Sequence, residues 1–258
     1  MRELIQWPRA QYWDRPWNPV IGCKPCSRAC VNCYAAEWAH RFGQSFKPHN
    51  TAQRPPSKGV VFCGNMTDLF GEWRTCGEMA KDVLCTIRPP ATSKATYLWL
   101  TKRVGRMAEA VKLAHQKTFW PGCAASSMYT NHYFGFTAEN QEWYDSRIGA
   151  FRGEIPTWAN CWLSAEPLLG RIDLGLRYIA PDDMPFDLVV VGCESGKDRR
   201  PCKIEWVESI VEQCLNSNIP VFVKQLDLNG KCERDITKFP KHLQIRQVPW
   251  LAESEVAV

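Results

Sequence analysis

The run Trp17-Asn18-Pro19-Val20-Ile21-Gly22-Cys23-Lys24-Pro25-Cys26-Ser27-Arg28-Ala29-Cys30-Val31-Asn32-Cys33-Tyr34 sets four cysteines within eleven residues, directly behind a short apolar stretch. Thiolates this dense are the ligand set of a soft metal. A zinc ribbon spaces its two Cys-x-x-Cys knuckles by roughly 12–20 residues so that they close a tetrahedron from two sides. Here only Ser27, Arg28 and Ala29 separate them. One short loop offers about three thiolates to one face of a cuboidal iron–sulfur cluster. The spacing therefore favours a four-iron cluster with three protein ligands and one open iron, and an open iron implies chemistry rather than electron storage.

Outward from this loop, short β-branched runs alternate with helical patterns. Strands are expected at Asn18–Gly22, Val60–Cys63, Ala95–Leu100, Tyr133–Phe136, Cys161–Ser164, Leu188–Val191 and Val221–Val223, and helices near Ala35–Phe42, Cys76–Thr86, Gly105–Gln116, Gln141–Phe151 and Ile204–Leu215. This alternation predicts an α/β fold of βα units with a mostly parallel sheet. Long loops are expected at Phe46–Lys58 and Pro121–Asn131, and the tail after Trp250 reads as dispensable.

Polar groups collect behind nearly every expected strand: Asn65 and Asp68, then Lys102, then Glu139 and Asn140, then Glu166, then Cys193, Glu194 and Ser195, and finally Lys224-Gln225. Parallel barrels build active sites at the carboxyl ends of their strands, so this register points to one shared mouth that includes the cysteine loop. Each residue has a plainer reading beside it. Lys102-Arg103 also reads as a surface pair at a helix start, Asp68 as a helix N-cap, Glu166 as a strand terminator and Lys197-Asp198-Arg199-Arg200 as a solvated loop. His40, His115 and His132 read as structural.

The composition is that of a globular chain: 258 residues, 45% hydrophobic, 23% charged, net charge +5. A mildly basic surface permits an anionic partner without demanding one. Thirteen cysteines in a chain this long, without a signal-peptide-like start, point to a reducing cytoplasm. Most of Cys63, Cys85, Cys123, Cys161, Cys193 and Cys214 then serve as small buried hydrophobes. Among twelve tryptophans, Trp7, Trp13 and Trp17 stand in a Pro-rich start where they line a pocket, stack on bases or fill the core.

With Cys26-x-x-x-Cys30-x-x-Cys33 behind a first strand and βα units after it, the chain resembles the radical S-adenosylmethionine (SAM) superfamily. The run from Trp17 to Cys23 leading to Cys30-x-x-Cys33-Tyr34 is more closely similar to the phage and prophage three-cysteine-motif family, which is radical-SAM-like. Leu100-Thr101-Lys102-Arg103 with Arg106-Met107, Glu139-Asn140-Gln141, Ser164-Ala165-Glu166-Pro167, Gly192-Cys193-Glu194-Ser195-Gly196 and Lys224-Gln225 carry the resemblance along residues 16 to about 226. The resemblance implies a partial or distorted (βα) barrel over 17–226, flanked by extensions at 1–16 and 227–258.

The resemblance also implies a [4Fe-4S] cluster and SAM as cofactors. The phage family selects Cys23, Cys30 and Cys33 as ligands, whereas the superfamily spacing selects Cys26, Cys30 and Cys33; this chain carries both, and the family pattern favours Cys23. The open iron would chelate the SAM amino and carboxylate groups, and one electron would release a 5′-deoxyadenosyl radical. Asn65 and Asp68 would meet the amino group, Lys102 or Arg200 the carboxylate, and Glu139 and Asn140 the ribose, with Ser164 and Ser195 alongside. The superfamily's Gly-Gly-Glu segment is absent, with Gly64-Asn65-Met66-Thr67-Asp68 in its place. Glu166, Glu194 and Cys193 would act towards substrate. The expected substrate is a DNA base or nucleotide, a hypermodified thymidine undergoing modification or isomerisation, with a flavodoxin- or ferredoxin-type electron donor. A repair lyase for damaged pyrimidines and a non-catalytic, metal-stabilised nucleic-acid-binding module are the other two readings.

Overall fold

The computed structural model describes residues 5–87, 94–118, 129–180 and 183–250. Its strands are β1 (Ile5–Gln6), β2 (Arg15–Trp17), β3 (Val20–Ile21), β4 (His49–Asn50), β5 (Lys58–Cys63), β6 (Lys94–Thr101), β7 (His132–Thr137), β8 (Asn160–Ala165), β9 (Leu188–Gly192), β10 (Val221–Leu228), β11 (Lys231–Glu233) and β12 (Gln247–Val248). The α-helices are α1 (Tyr34–Arg41), α2 (Cys76–Thr86), α3 (Val104–Lys117), α4 (Gln141–Glu154) and α5 (Ile204–Asn216). The fold is mixed α/β with mostly parallel strand pairing, as the βα alternation predicts. Among the described residues, no helix is long and apolar enough to cross a membrane.

The chain divides into two compact units. One comprises Trp13–Phe136 and Arg147–Asn160; the other comprises Met1–Tyr12, Thr137–Ser146 and Cys161–Val258. In the unit that carries the cysteine run, β2, β5, β6 and β7 pair in parallel in that order. Strand β7 is buried at every position, which fits a parallel strand covered on both faces. Helix α2 begins with a full capping box: Thr75 Oγ1 accepts from the Glu78 N–H, while the Glu78 carboxylate accepts from the Thr75 N–H at 2.8 Å. Helix α3 buries Val104, Met107, Ala108, Val111 and Ala114, the three-and-four spacing of one helix face. Trp99 and Phe134 are fully buried on neighbouring strands with their rings stacked, each worth about 2–3 kcal/mol in burial.

In the other unit β8, β9 and β10 are parallel, and β10 turns back antiparallel into β11. Helix α5 buries Val207, Ile210, Val211 and Cys214. Strand β1 pairs with β12, so Ile5 stands opposite Val248. Boundaries expected at 16/17 and 226/227 fall inside β2 and β10, and residues 5–12 and 227–250 are woven into the fold.

Two strand expectations are corrected. Asn18–Gly22 is not a strand of the parallel run. Pro19 has no N–H to give, and Asn18 is drawn into side-chain hydrogen bonds with Gln53, Thr51, Asn65 and Met66, so only Val20–Ile21 is extended, antiparallel to His49–Asn50. Strand β2 takes its place. Lys224-Gln225 does not follow the last strand; it lies inside β10, where the pairing with β9 shifts between Val223 and Gln225. The expected loop Phe46–Lys58 contains β4, and most of Pro121–Asn131 lies outside the described residues, as do Cys123 and the tail beyond Trp250. Cys63, Cys193 and Cys214 are buried as expected of small hydrophobes, while Cys85 and Cys161 are half-buried. Trp7 and Trp17 are core residues, 5% and 2% exposed, and are not free to stack on bases. Their indole N–H groups donate to the Gln11 and Gln53 carbonyls.

Candidate cysteine loop and carboxylate sites

The cysteine loop starts at a backbone position that only glycine tolerates. Gly22 has φ +92°, and a Cβ there would lie 2.4 Å from the Lys47 carbonyl oxygen. Around it, the Gly22 N–H donates to the Met66 carbonyl at 3.1 Å, Thr67 Oγ1 donates to the Gly22 carbonyl at 2.6 Å, and the Cys23 N–H donates to the Phe46 carbonyl at 3.2 Å. The chain then runs through the short 3₁₀ turn Arg28–Cys30 into α1, whose N-cap is Cys33.

All four thiols are free and partly exposed. The Cys26 S–H donates to Cys30 and draws the Cys30 thiol down to about 4, with the Lys102 ammonium nearby adding to the effect. Cys26 is raised correspondingly. Burial, with the Asp68 carboxylate next, pushes Cys23 up to about 11. Four soft donors on one loop, none in a disulfide, suit an iron–sulfur group in kind. Among the described residues no three of His, Cys, Asp and Glu converge as one ion's ligands do.

Of the expected partners of this loop, Asn65, Asp68 and Lys102 occupy the same unit. The buried Asp68 carboxylate accepts from Thr101 Oγ1 at 2.8 Å, the Lys102 N–H at 3.1 Å, the Phe70 N–H at 3.1 Å and Arg103 Nη1 at 3.0 Å. It therefore closes a turn and ties it to the end of β6, and no helix follows that it would cap. Asn65 Oδ1 accepts from Asn18 Nδ2 at 2.7 Å, and its carbonyl accepts from the Tyr34 hydroxyl.

Arg103 is the residue the sequence reading passed over in favour of Lys102. Its guanidinium donates Nε to Glu72 at 2.7 Å, Nη1 to Asp68 and Nη2 to the Lys24 carbonyl at 3.0 Å, and it lies 5.1 Å from the Trp73 ring centroid. It pins the start of the cysteine loop, just after Cys23, to the end of β6. The only signal for it was its place behind an expected strand, which Lys102 shares.

A second overlooked feature flanks the loop. Tyr34 and Trp38 on α1, Val31 just before it and Phe42 at its C-cap are exposed, 46–78%, with the Trp38 and Phe42 rings 4.8 Å apart. The exposed cations Lys24, Arg28, Arg41 and Lys47 belong to the same segment.

In the other unit stand Glu139, Asn140, Ser164, Glu166, Cys193, Glu194, Ser195 and Arg200. Buried Glu194 accepts from the Arg200 N–H at 2.8 Å and Nε at 2.9 Å, and pairs with its Nη2. Arg199 donates to Asp227 at 3.2 Å. Both guanidinium groups are held in ion pairs and are half-buried, so neither arginine is an open phosphate clamp, while Lys197 and Asp198 remain exposed as a solvated loop would have them. Asn140 Oδ1 accepts from the Trp143 N–H at 3.1 Å, the geometry of an N-cap for α4. Glu139 and Ser164 are buried; the Glu139 carbonyl accepts from the Leu169 N–H and the Ser164 carbonyl from the Ala138 N–H. Glu166 pairs with Lys224 at 3.0 Å above Gly192, where a Cβ would come within 3.0 Å of its carboxylate. Ser195 is half-buried on the same loop. Cys193, expected to act towards substrate, gives its S–H to Cys232 at 3.8 Å.

No curated protein and no solved structure matches the chain. Residues 8–247 match the family described as protein of unknown function (DUF5131), and over that span the chain belongs to this family.

Proposed function

We propose that the protein is a radical SAM enzyme that modifies or isomerises a nucleobase, in DNA or as a nucleotide. The observation that carries this reading is the cysteine loop itself: four free, partly exposed thiols within eleven residues, held by Gly22 at one end and α1 at the other. Cys23, Cys30 and Cys33 would hold the iron, with Cys26 hydrogen-bonded beside Cys30. When bound, a four-iron cluster supplies one electron to SAM and so gives a 5′-deoxyadenosyl radical.

The chain's own contribution is positioning. Arg103 fixes the Lys24 carbonyl, Asp68 fixes the end of β6 that carries Lys102, and the Lys102 ammonium stands near Cys30 to face an anionic group. For the substrate, support comes from the resemblance and from the exposed aromatics of α1 among cations, since flat rings beside basic side chains suit bases on a phosphate backbone. The paired Arg199 and Arg200 add nothing to it. The test is anaerobic purification with iron and sulfide quantified, cluster spectroscopy, and an assay for 5′-deoxyadenosine. A colourless, zinc-loaded protein with full activity would refute the reading.

A further inference from the structure

A second sulfur site lies in the unit that lacks the cysteine run. We propose that Cys193 and Cys232 form a peroxide-oxidisable dithiol that closes into a reversible disulfide between the loop after β9 and strand β11. The two sulfurs are 3.8 Å apart although 39 residues separate them in sequence. Both backbones are fixed. The Cys193 N–H donates to the Gln225 carbonyl at 3.2 Å, and its carbonyl accepts from Gln225 Nε2 at 2.6 Å. Cys232 stands opposite Asp227 in the β10–β11 pair. A covalent link therefore needs side-chain rotation more than backbone movement.

The two thiols are unequal, as attack and resolution require. Cys193 is buried at 2% exposure, whereas Cys232 is half-buried and reachable by a small oxidant. The S–H of Cys193 donates to Cys232 and holds the latter below the ordinary thiol range, with Arg234, Arg199 and Lys224 reinforcing the thiolate. Cys193 is pushed up by that same hydrogen bond and by burial. Arg234 is held in place by its own bond to Gln225 Oε1 at 3.0 Å.

In the reaction, the Cys232 thiolate attacks one oxygen of a hydroperoxide. The O–O bond breaks, the leaving oxygen takes a proton, and Cys232 becomes a sulfenic acid. The Cys193 sulfur then attacks the Cys232 sulfur and displaces the second oxygen as water. Two thiols lose two protons and two electrons, and hydrogen peroxide is reduced to two waters. A small dithiol restores the pair by exchange. This site does not depend on the proposed radical chemistry, because none of its groups lies in the cysteine run.

The test uses the full-length protein, first reduced, then exposed to hydrogen peroxide, alkylated, digested and mapped by mass spectrometry. The expected result is a Cys193–Cys232 peptide pair lighter by two hydrogens and abolished by dithiothreitol. In Cys193→Ser a sulfenic-acid trap should label Cys232, with at least a several-fold gain over the unmodified chain. Neighbouring Cys202, buried near Cys193, is the internal control. A cross-link through Cys202, a Cys232 that stays a free thiol, or trapping on Cys193 first would each overturn the proposal. Mapping distinguishes all of these from oxidation within Cys23–Cys33.

Discussion

Arg103 donates to the Lys24 carbonyl at 3.0 Å across 79 residues of sequence, joining the end of a parallel strand to the first residues of the cysteine loop. The same guanidinium satisfies Asp68 and Glu72, and its side chain is 7% exposed. A planar fork with five donors reaches three acceptors in three directions, which an ammonium on a flexible stem does not.

Arg103→Lys should therefore keep the charge and lose the loop contact, costing about 2 kcal/mol of stability. Arg103→Met should cost more, about 3–5 kcal/mol, because it leaves the buried Asp68 carboxylate without its counter-ion. Urea unfolding of both variants reads this out. An unchanged midpoint in Arg103→Met would show that the clamp carries no stability.

A paired substitution isolates the start of the loop. Gly22 and Gly43 both have positive φ, +92° and +64°. Around Gly43 a Cβ meets nothing within 4 Å, whereas at Gly22 it meets backbone at 2.4 Å. Gly43→Ala should cost only the left-handed penalty, about 1–2 kcal/mol. Gly22→Ala should exceed it and lower iron uptake on reconstitution, since the loop must shift to admit the methyl group. Equal melting temperatures and equal iron content in the two variants would contradict this account.

Stability in acid should carry a signature of His132. The ring is fully buried and stacked between aromatic neighbours, with Nε2 3.0 Å from Thr86 Oγ1, and burial lowers its pKa from 6.5 to about 3. Below pH 6.5 the unfolded chain binds a proton that the folded ring refuses, so folding weakens as pH falls from 6.5 towards 3. At pH 5 the loss from this one group is about 2 kcal/mol. His132→Phe should flatten the fall in unfolding free energy between pH 7 and 5, whatever it does at pH 7. An unaltered slope would mean that the ring is protonated in the fold.

What the sequence made legible was local. Strands and helices carry their own periodicity, so β5 to β9 and the described helices α1 to α5 stand within a few residues of where the pattern puts them, while β10 runs on to Leu228, past its expected end at Val223. The cysteine loop was legible for the same reason: its four donors are written side by side. Asn18–Gly22 failed because its apolar look hides an asparagine whose side chain and backbone bond outside any ladder. The Arg103 clamp was hidden because its partner at Lys24 is a carbonyl, which every residue owns. Arg199 and Arg200 looked available because their partners, Asp227 and Glu194, are set by the fold rather than by spacing. Cys193 and Cys232 meet only once β10 has turned into β11.

The choice of the third thiol can be settled on the loop itself. Cys30 and Cys33 belong to both expected ligand sets, so changing either to alanine should abolish the brown colour and all SAM cleavage. Cys26 and Cys23 differ in their surroundings. Cys26 spends its S–H on Cys30, while Cys23 lies beside Cys33, Arg103 and the backbone of Asp68, close to the clamp that fixes the loop. Cys23→Ala should then lose iron and activity, and Cys26→Ala should keep most of both, with a shifted cluster spectrum because a sulfur hydrogen bond to Cys30 has gone. Iron content and 5′-deoxyadenosine yield of the two variants, prepared anaerobically side by side, decide between them. The reverse pattern would assign the cluster to Cys26, Cys30 and Cys33. Loss of metal in both, with zinc in the unaltered protein, would make all four thiols structural ligands and end the radical reading.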